Sequence, residues 1–313
     1  MDSEPGRTTR RRIIEQLGDG PATGPELAAS LDISRSAVWK QVEALRADGL
    51  AIRSDTEGYR VEGTTGFGAS SVAFGLEAAF EVEFHDRIES TNRRARALGA
   101  EERPETAVIA GEQTAGRGRL DRQWRSPPGG VYVSLLCRPD LPAAEVPLYT
   151  LAAAVATTRA VRSVGVMAGI KWPNDVLIGE DQQKVAGILT EMRGEADRAS
   201  WVVVGVGLNV GAKASELPHG AAGLASYAGP VDRAVLTRRL IDEFDSLRAT
   251  PASVLPAWRE LALTLGRRVR VQTPRETIVG EAVDIELPGQ LVVRTEQGHR
   301  RIPAGDCEHL RPD

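Results

Sequence analysis

The chain has 313 residues, 42% of them hydrophobic and 26% charged, with a formal net charge of −4. That length suits two or three domains with ample core, and no uninterrupted apolar run is long enough to span a bilayer. The opening MDSEPGRTTRRR lacks the apolar stretch of a secretory signal, and Cys137 and Cys307 have no partner at metal-ligand spacing, so a reduced, cytoplasmic compartment is expected.

The first sixty-odd residues read as a winged helix-turn-helix. Arg11 to Leu17 has a helical pattern, and Thr23-Gly24-Pro25-Glu26 offers a capping box in which threonine caps and glutamate reaches back. Leu27 to Leu31 completes a short second helix, and Asp32-Ile33-Ser34 turns into a third. There Val38, Val42 and Leu45 form one buried stripe. Arg35, Ser36, Trp39 and Lys40 are left near the opposite side, as on a helix that enters a major groove. Ala51 to Ser54 and Tyr59 to Val61 form the wing. Charge argues the other way, because residues 1–65 hold nine Arg/Lys against eleven Asp/Glu, whereas DNA affinity comes largely from neutralised phosphates. The clustering of Arg7, Arg10, Arg11, Arg12, Arg35 and Lys40 favours DNA; a protein-interaction module is the alternative.

Gly63 to Gly68 is glycine-rich and reads as a linker or hinge. Beyond it, TAVIA (106–110), VYVSLLC (131–137), VAGILTE (185–191) and WVVVGV (201–206) have the β-branched content of buried strands. Glu145 to Val164 and Asp232 to Leu247 read as helices on that sheet. The alternation is irregular, which predicts a mixed sheet in place of a doubly wound one.

Between the first two strands lies TAGRGRLDRQWRS, residues 114–126. Gly116 and Gly118 mimic the start of a dinucleotide fingerprint, but Asp121 stands where its third glycine belongs. Ser126-Pro127-Pro128-Gly129-Gly130 follows too soon for a helix, which sets that reading aside. A basic, solvated loop is the plain alternative. Lysine, scarce in this arginine-rich chain, occurs at Lys40, Lys171, Lys184 and Lys213. Two of these fall within KWPNDVLIGEDQQKVAGILTE (171–191). Pro173 makes KWPND a shaped turn, and the hairpin after it should bring Asn174, Asp175 and Lys184 to one end of the sheet. From Gly266 onward VRVQT, IVGEAVDI, LVVRT and HRRIP are short alternating strands, a small barrel that leans on the central domain.

Several segments resemble the family of bifunctional biotin protein ligases and biotin operon repressors. They are Glu89-Ser90-Thr91-Asn92, GEQTAGRGRLDRQWRSPPGGVYVSLL (111–136), KWPND (171–175), KVAGILTE (184–191) and GVGLN (205–209). The resemblance runs over nearly the full length and rests on the order of the motifs as much as on any one. Leu120-Asp121 departs from it, standing where the family's loop often has a more basic or glycine-containing pair.

The resemblance implies an α+β fold. A winged helix-turn-helix DNA-binding domain (1–65) would precede a central mixed-sheet catalytic domain (66–265) like that of class II synthetases and lipoate ligases, then a C-terminal SH3-like β-barrel (266–313). It implies that biotin and Mg-ATP form biotinoyl-5'-adenylate, and that the biotinoyl group passes to one lysine of a carboxylase's biotin carboxyl carrier domain. The residue types suit this independently: a carboxylate attacking an anionic phosphate needs fixed cations, and Mg2+ neutralises departing pyrophosphate. On matching positions, Ser90, Thr91, Asn92 and Gln113 would read the ureido ring. Gly116, Arg117, Gly118 and Arg119 would close over biotin and its adenylate, the glycines letting backbone amides approach and leaving the loop mobile. Trp124 would pack on the ligand, Lys184 would hold the biotin carboxylate, and Gly187 would add a backbone contact. Lys184 and Arg119 are the catalytic candidates. Arg122 would meet pyrophosphate, and Asn174, Asp175 and Asn209 would contact metal, phosphate or adenosine. Operator DNA, with the adenylate as corepressor, and a ligand-bound homodimer are the further implied partners, with no membrane and no protein-bound metal. A lipoate ligase and a non-catalytic biotin-sensing regulator are the competing readings.

Overall fold

The structure, a computed structural model, describes residues 4–310, with side chains from residue 9 onward. Helices α1 (Glu4–Gly18), α2 (Gly24–Leu31) and α3 (Arg35–Ala47) lead into the hairpin of β1 (Leu50–Asp55) and β2 (Gly58–Thr64). The capping box forms as read: Glu26 N donates to Thr23 Oγ1 at 3.3 Å and Thr23 N to Glu26 Oε2 at 2.7 Å. Asp32 ends α2 in the left-handed region and Ser34 caps α3. Ile13, Leu17, Leu27, Val38, Val42 and Leu45 belong to a core of their own. Helix α1 starts well before Arg11, because the sequence EPGRTTR holds no apolar residue from which a helical pattern could be read.

The segment expected as a hinge is fastened. Thr65 N and Gly66 N both donate to Gly49 O, and Gly68 caps the short α4 (Ala69–Ala73). Ser70 N donates to Asp48 Oδ2 at 2.7 Å, while Thr64 Oγ1 donates to Asp232 across to the central region. Phe67 stacks edge-on against Phe84 and lies under the Arg233 guanidinium.

The central elements are β3 (Glu81–His85), α5 (Thr91–Ala100), β4 (Thr106–Ala110), β5 (Val131–Cys137), α6 (Pro147–Arg162), β6 (Ala168–Lys171), β7 (Asp175–Ile178), β8 (Gln183–Gly194), β9 (Ala199–Leu208), α7 (Ala225–Ala228), α8 (Arg233–Ala249) and α9 (Val254–Leu261). The strands form a seven-stranded sheet in the order β3-β4-β5-β9-β8-β7-β6. Only the β3–β4 pair is parallel, so the sheet is mixed as expected. Helix α5 packs Ala95 and Leu98 on one face with Val108, Leu136, Trp201 and Val203. Residues of α6, α8 and α9 join the main core with the strands. β3 and α5 carry no pattern that sequence reasoning had picked out.

The C-terminal sheet has the order β13-β12-β11-β10-β14, all antiparallel. Its strands are β10 (Arg268–Gln272), β11 (Thr277–Glu286), β12 (Gln290–Thr295), β13 (Gly298–Ile302) and the unanticipated β14 (Asp306–His309). Buried Trp172, before the cis peptide to Pro173, joins it to the centre: its Nε1 donates to Gly289 O at 3.1 Å and its N to Thr264 Oγ1 at 2.9 Å. Among the described residues no helix is long and apolar enough to cross a membrane.

Candidate functional site

A cavity of about 320 Å3 opens over the middle of the central sheet. Its floor is made of glycines on β8 and β9, where side chains would intrude: a methyl at Gly187 would lie 2.9 Å from Trp124 Cζ3, and one at Gly207 2.6 Å from Trp124 Cε2. The Trp124 indole thus rests directly on the sheet, and its Nε1 is buried without a protein partner.

One wall is the start of α5. Ser90 is its N-cap, accepting from Arg93 N, and Thr91 N donates to Gln113 Oε1 at 2.8 Å. Asn92, only 6% exposed, donates through Nδ2 to Glu191 Oε2 at 2.9 Å and Leu189 O at 3.3 Å, while its Oδ1 lies 2.6 Å from Ser134 Oγ. Both ends of that amide are therefore engaged inside the protein, while Asn92 still lines the cavity.

The arginine-rich segment is a hairpin held by Gln113–Ser126 and Arg117–Gln123 pairing. Trp124 N donates to Gly116 O at 2.9 Å, and a methyl at Gly116 would lie 2.6 Å from Ser126 Oγ. Gly116 is there for close approach. The Gly118 amide donates to Arg122 O at 2.7 Å, so in this conformation it is spent within the turn and is not presented to an anion. Leu120 and Asp121 form the tip with φ of 54° and 55°, a conformation that aspartate tolerates better than most residues. Asp121 also accepts from Arg117 Nη2 at 3.2 Å. The departure at Leu120-Asp121 is thus the bend of the hairpin.

The opposite wall carries the expected hairpin cluster. Lys184 Nζ stands 2.6 Å from Asp175 Oδ1, an ionic contact without hydrogen-bond alignment, and 5.1 Å from the Trp124 ring centroid. Arg119 donates to Asn174 Oδ1 at 3.0 Å and Gly305 O at 3.2 Å, and burial pulls its pKa down against the nearby Asp306 and Asp175. Arg122 pairs with Asp306. Asn209, 1% exposed, lines the cavity with its Oδ1 unpaired. Arg117, Arg119, Arg122, Arg125 and Lys184 outnumber Asp175 and Asp306 around the lining, which favours an anionic occupant. No group of three His, Cys, Asp or Glu among the described residues could hold a metal.

Sequence reasoning missed Asp306 and the Pro218-His219-Gly220-Ala221 segment, which line the cavity. The 218–221 segment arrives because Lys184 N donates to Gly220 O. None of these carries a motif of its own. Arg35, Ser36, Trp39 and Lys40 lie elsewhere, exposed on α3, with Trp39 55% exposed. Arg11 and Arg12 are exposed nearby in the chain; the Arg7 side chain lies outside the described residues.

Known proteins resemble this chain over most of its length. Residues 84–209 match the biotin/lipoate A/B protein ligase family, 264–310 the biotin protein ligase C-terminal domain, and 9–60 an HTH domain. The chain is 36% identical over 324 residues to the bifunctional ligase/repressor BirA of Bacillus subtilis (strain 168), covering 96% of this chain and 98% of that one. It is 28% identical to the protein of the same name from Escherichia coli (strain K12), covering 92% and 93%. Among solved structures, biotin protein ligase from Aquifex aeolicus in complex with biotin and ATP superposes with a TM-score of 0.60 at 27% identity, covering 74% of this chain and 99% of that one.

Proposed function

This chain belongs to the family of bifunctional biotin protein ligases and repressors, and from that premise we propose how its cavity divides the work. The protein is a biotin protein ligase with a repressor's DNA-binding domain. Biotin packs on the Trp124 indole, which itself rests on the glycine floor, with its ureido ring toward Thr91 and Gln113 and its carboxylate toward Lys184. ATP enters as its Mg2+ complex along the Arg119–Arg122 side, where Asn174, Asp175 and Asn209 line the path. Mg2+ travels with the nucleotide and offsets the charge of the leaving pyrophosphate.

A biotin carboxylate oxygen attacks the α-phosphorus, the bond to pyrophosphate breaks, and biotinoyl-5'-adenylate forms. Two anions must approach, so the barrier is largely electrostatic and fixed cations lower it without reorganising. Lys184 supplies a point charge and Arg119 a planar fork. A carrier lysine amine then attacks the acyl carbon and AMP leaves. The observation that carries this reading is Lys184 poised between Asp175 and Trp124 in a cation-lined cavity.

The acceptor is a biotin carboxyl carrier domain, docked along an exposed sheet edge. The ligand-bound protein is a homodimer in the cytoplasm, with the adenylate as corepressor. Residues 1–65, 66–265 and 266–313 act as DNA-binding, catalytic and supporting domains. Biotin-dependent exchange of labelled pyrophosphate into ATP tests the chemistry. Exchange that required lipoate, or that failed with both acids, would overturn it.

A further inference from the structure

Glu191 has no role in the reading above, yet it ends a chain of contacts that reaches the ureido wall. Its carboxylate accepts from Asn92 Nδ2 at 2.9 Å and Arg96 Nη1 at 3.0 Å, with Arg117 Nη1 at 3.7 Å. Asn92 Oδ1 lies 2.6 Å from Ser134 Oγ, which lies 2.7 Å from Thr91 Oγ1. Thr91 N donates to Gln113 Oε1, and Gln113 Nε2 to Ser126 Oγ at 2.9 Å. Ser134 is fully buried, and Thr91, Asn92 and Ser126 nearly so, so each hydrogen in the chain has few alternative partners.

The direction of the bonds between Asn92 and Thr91 follows from the acceptors at one end, Glu191 and the Leu189 carbonyl. A carboxylate accepts and does not donate, so Asn92 must turn Nδ2 toward Glu191 and Oδ1 toward Ser134. The single Ser134 hydrogen then goes to Asn92 Oδ1, and the Thr91 hydrogen goes to Ser134 Oγ or to Gln113 Oε1, 3.1 Å away; either way it is held inside the protein. Thr91 is left with only lone pairs for the cavity. Gln113, whose Oε1 is taken by the Thr91 amide, is left with one Nε2 hydrogen. An acceptor beside a donor is the complement of a cyclic urea, whose ring N–H adjoins its C=O. Packing reinforces the order, since a methyl at Gly205 would lie 2.7 Å from Asn92 Cγ.

We propose that Glu191 is a positioning residue that, with the Leu189 carbonyl, holds Asn92 and through Ser134 keeps the Thr91 hydroxyl an acceptor toward the ureido ring, beside a Gln113 amide that the Thr91 N–H orients. The proposal rests on the reading that Thr91 and Gln113 face that ring. Gln at this position is isosteric but can donate, so only the 3.3 Å bond to Leu189 O still opposes a turn of Asn92 and the order loosens.

Pyrophosphate exchange by the full chain, with biotin and ATP varied separately and the melting temperature followed, tests this. For Glu191→Gln the biotin KM is expected to rise about three- to tenfold, the worth of one hydrogen bond, with ATP KM and melting temperature little changed. Asn92→Asp alone sets two carboxylates together and is expected to be worse. Combined with Glu191→Gln it restores a donor–acceptor pair, keeps an oxygen toward Ser134, and should recover much of the biotin KM. An unchanged biotin KM in Glu191→Gln, biotin and ATP KM rising together with a fall in melting temperature, or no recovery in the double variant would overturn the proposal. If Gln113→Ala also leaves the biotin KM unchanged, the ureido reading itself falls; if Gln113→Ala is impaired and Glu191→Gln is not, only the role of Glu191 does.

Discussion

Lys184 Nζ stands 2.6 Å from Asp175 Oδ1, although the backbone of Lys184 pairs with Leu177 and that of Asp175 with Gly187. A bulge between Val176 and Leu177 intervenes, and β-bulges re-aim side chains next to active sites. Asp175 thereby holds the ammonium at the cavity wall. A substrate carboxylate that meets Lys184 must share it with Asp175.

Lys184→Gln removes the charge and keeps the length. One preorganised charge-stabilising group is worth about a hundredfold or more in rate, so biotin-dependent pyrophosphate exchange should fall by about that factor. Exchange at wild-type rate would remove Lys184 from the chemistry.

Gly207→Ala tests the seat of Trp124. The added methyl lies 2.6 Å from Trp124 Cε2, and the ring has to lift from β9. Overpacking of this kind costs about 1–3 kcal/mol, so thermal unfolding should shift down and biotin titration by tryptophan fluorescence should weaken. An unaltered melting curve together with unaltered biotin binding would show that the indole does not rest there.

Stability should fall in acid in two steps. Burial, with Lys171 and Arg267 nearby, pushes the His309 pKa down to about 4. The unfolded chain then binds the extra proton first, so stability present above about pH 6.5 is lost as pH falls from there toward 4. Burial alone would raise Glu83, but hydrogen bonds with His85 and from Arg94 outweigh it and hold the carboxyl at about 2. Its contribution is lost lower, as pH falls from the ordinary carboxylate range toward 2. In His309→Gln, melting temperature against pH should lose the upper step and keep the lower one.

Arg35→Ala and Lys40→Ala should each weaken operator binding by full-length protein supplied with biotin and ATP, and leave pyrophosphate exchange unchanged. Taking one cation off a phosphate should reduce the slope of log affinity against log salt by about 1. Gel-shift titrations at several salt concentrations measure it; slopes equal to wild type in both variants would take α3 off the phosphates.

Much of this site was legible because its members lie in short local patterns. Gly187 in KVAGILTE and Gly207 in GVGLN are floor residues whose missing side chains admit Trp124, Gly205 makes room for Asn92, and Thr91, Gln113 and Lys184 stand in adjoining motifs. Asn92 was legible as a member but not in its task, because only the fold shows Glu191, Leu189 and Ser134 around its amide. At Gly118 the sequence implies a backbone amide that can approach the ligand, and the turn that consumes that amide depends on left-handed geometry at Leu120 and Asp121.

The sequence by itself determined the winged helix, through the Thr23–Glu26 capping box and the Val38, Val42, Leu45 stripe, and determined the mixed sheet and the family's reaction, through motifs whose chemistry is local. Tertiary structure alone decided that Arg122 meets Asp306, that Arg119 reaches Gly305, and that the Gly63 to Gly68 segment is tied down. Those contacts join parts of the chain with no sequence pattern in common. They exist because Trp172 anchors the C-terminal sheet beside the cavity and Gly49 receives the amides of Thr65 and Gly66. Short-range propensity can specify an element, but the pairing of distant charges waits on the packing that brings them together.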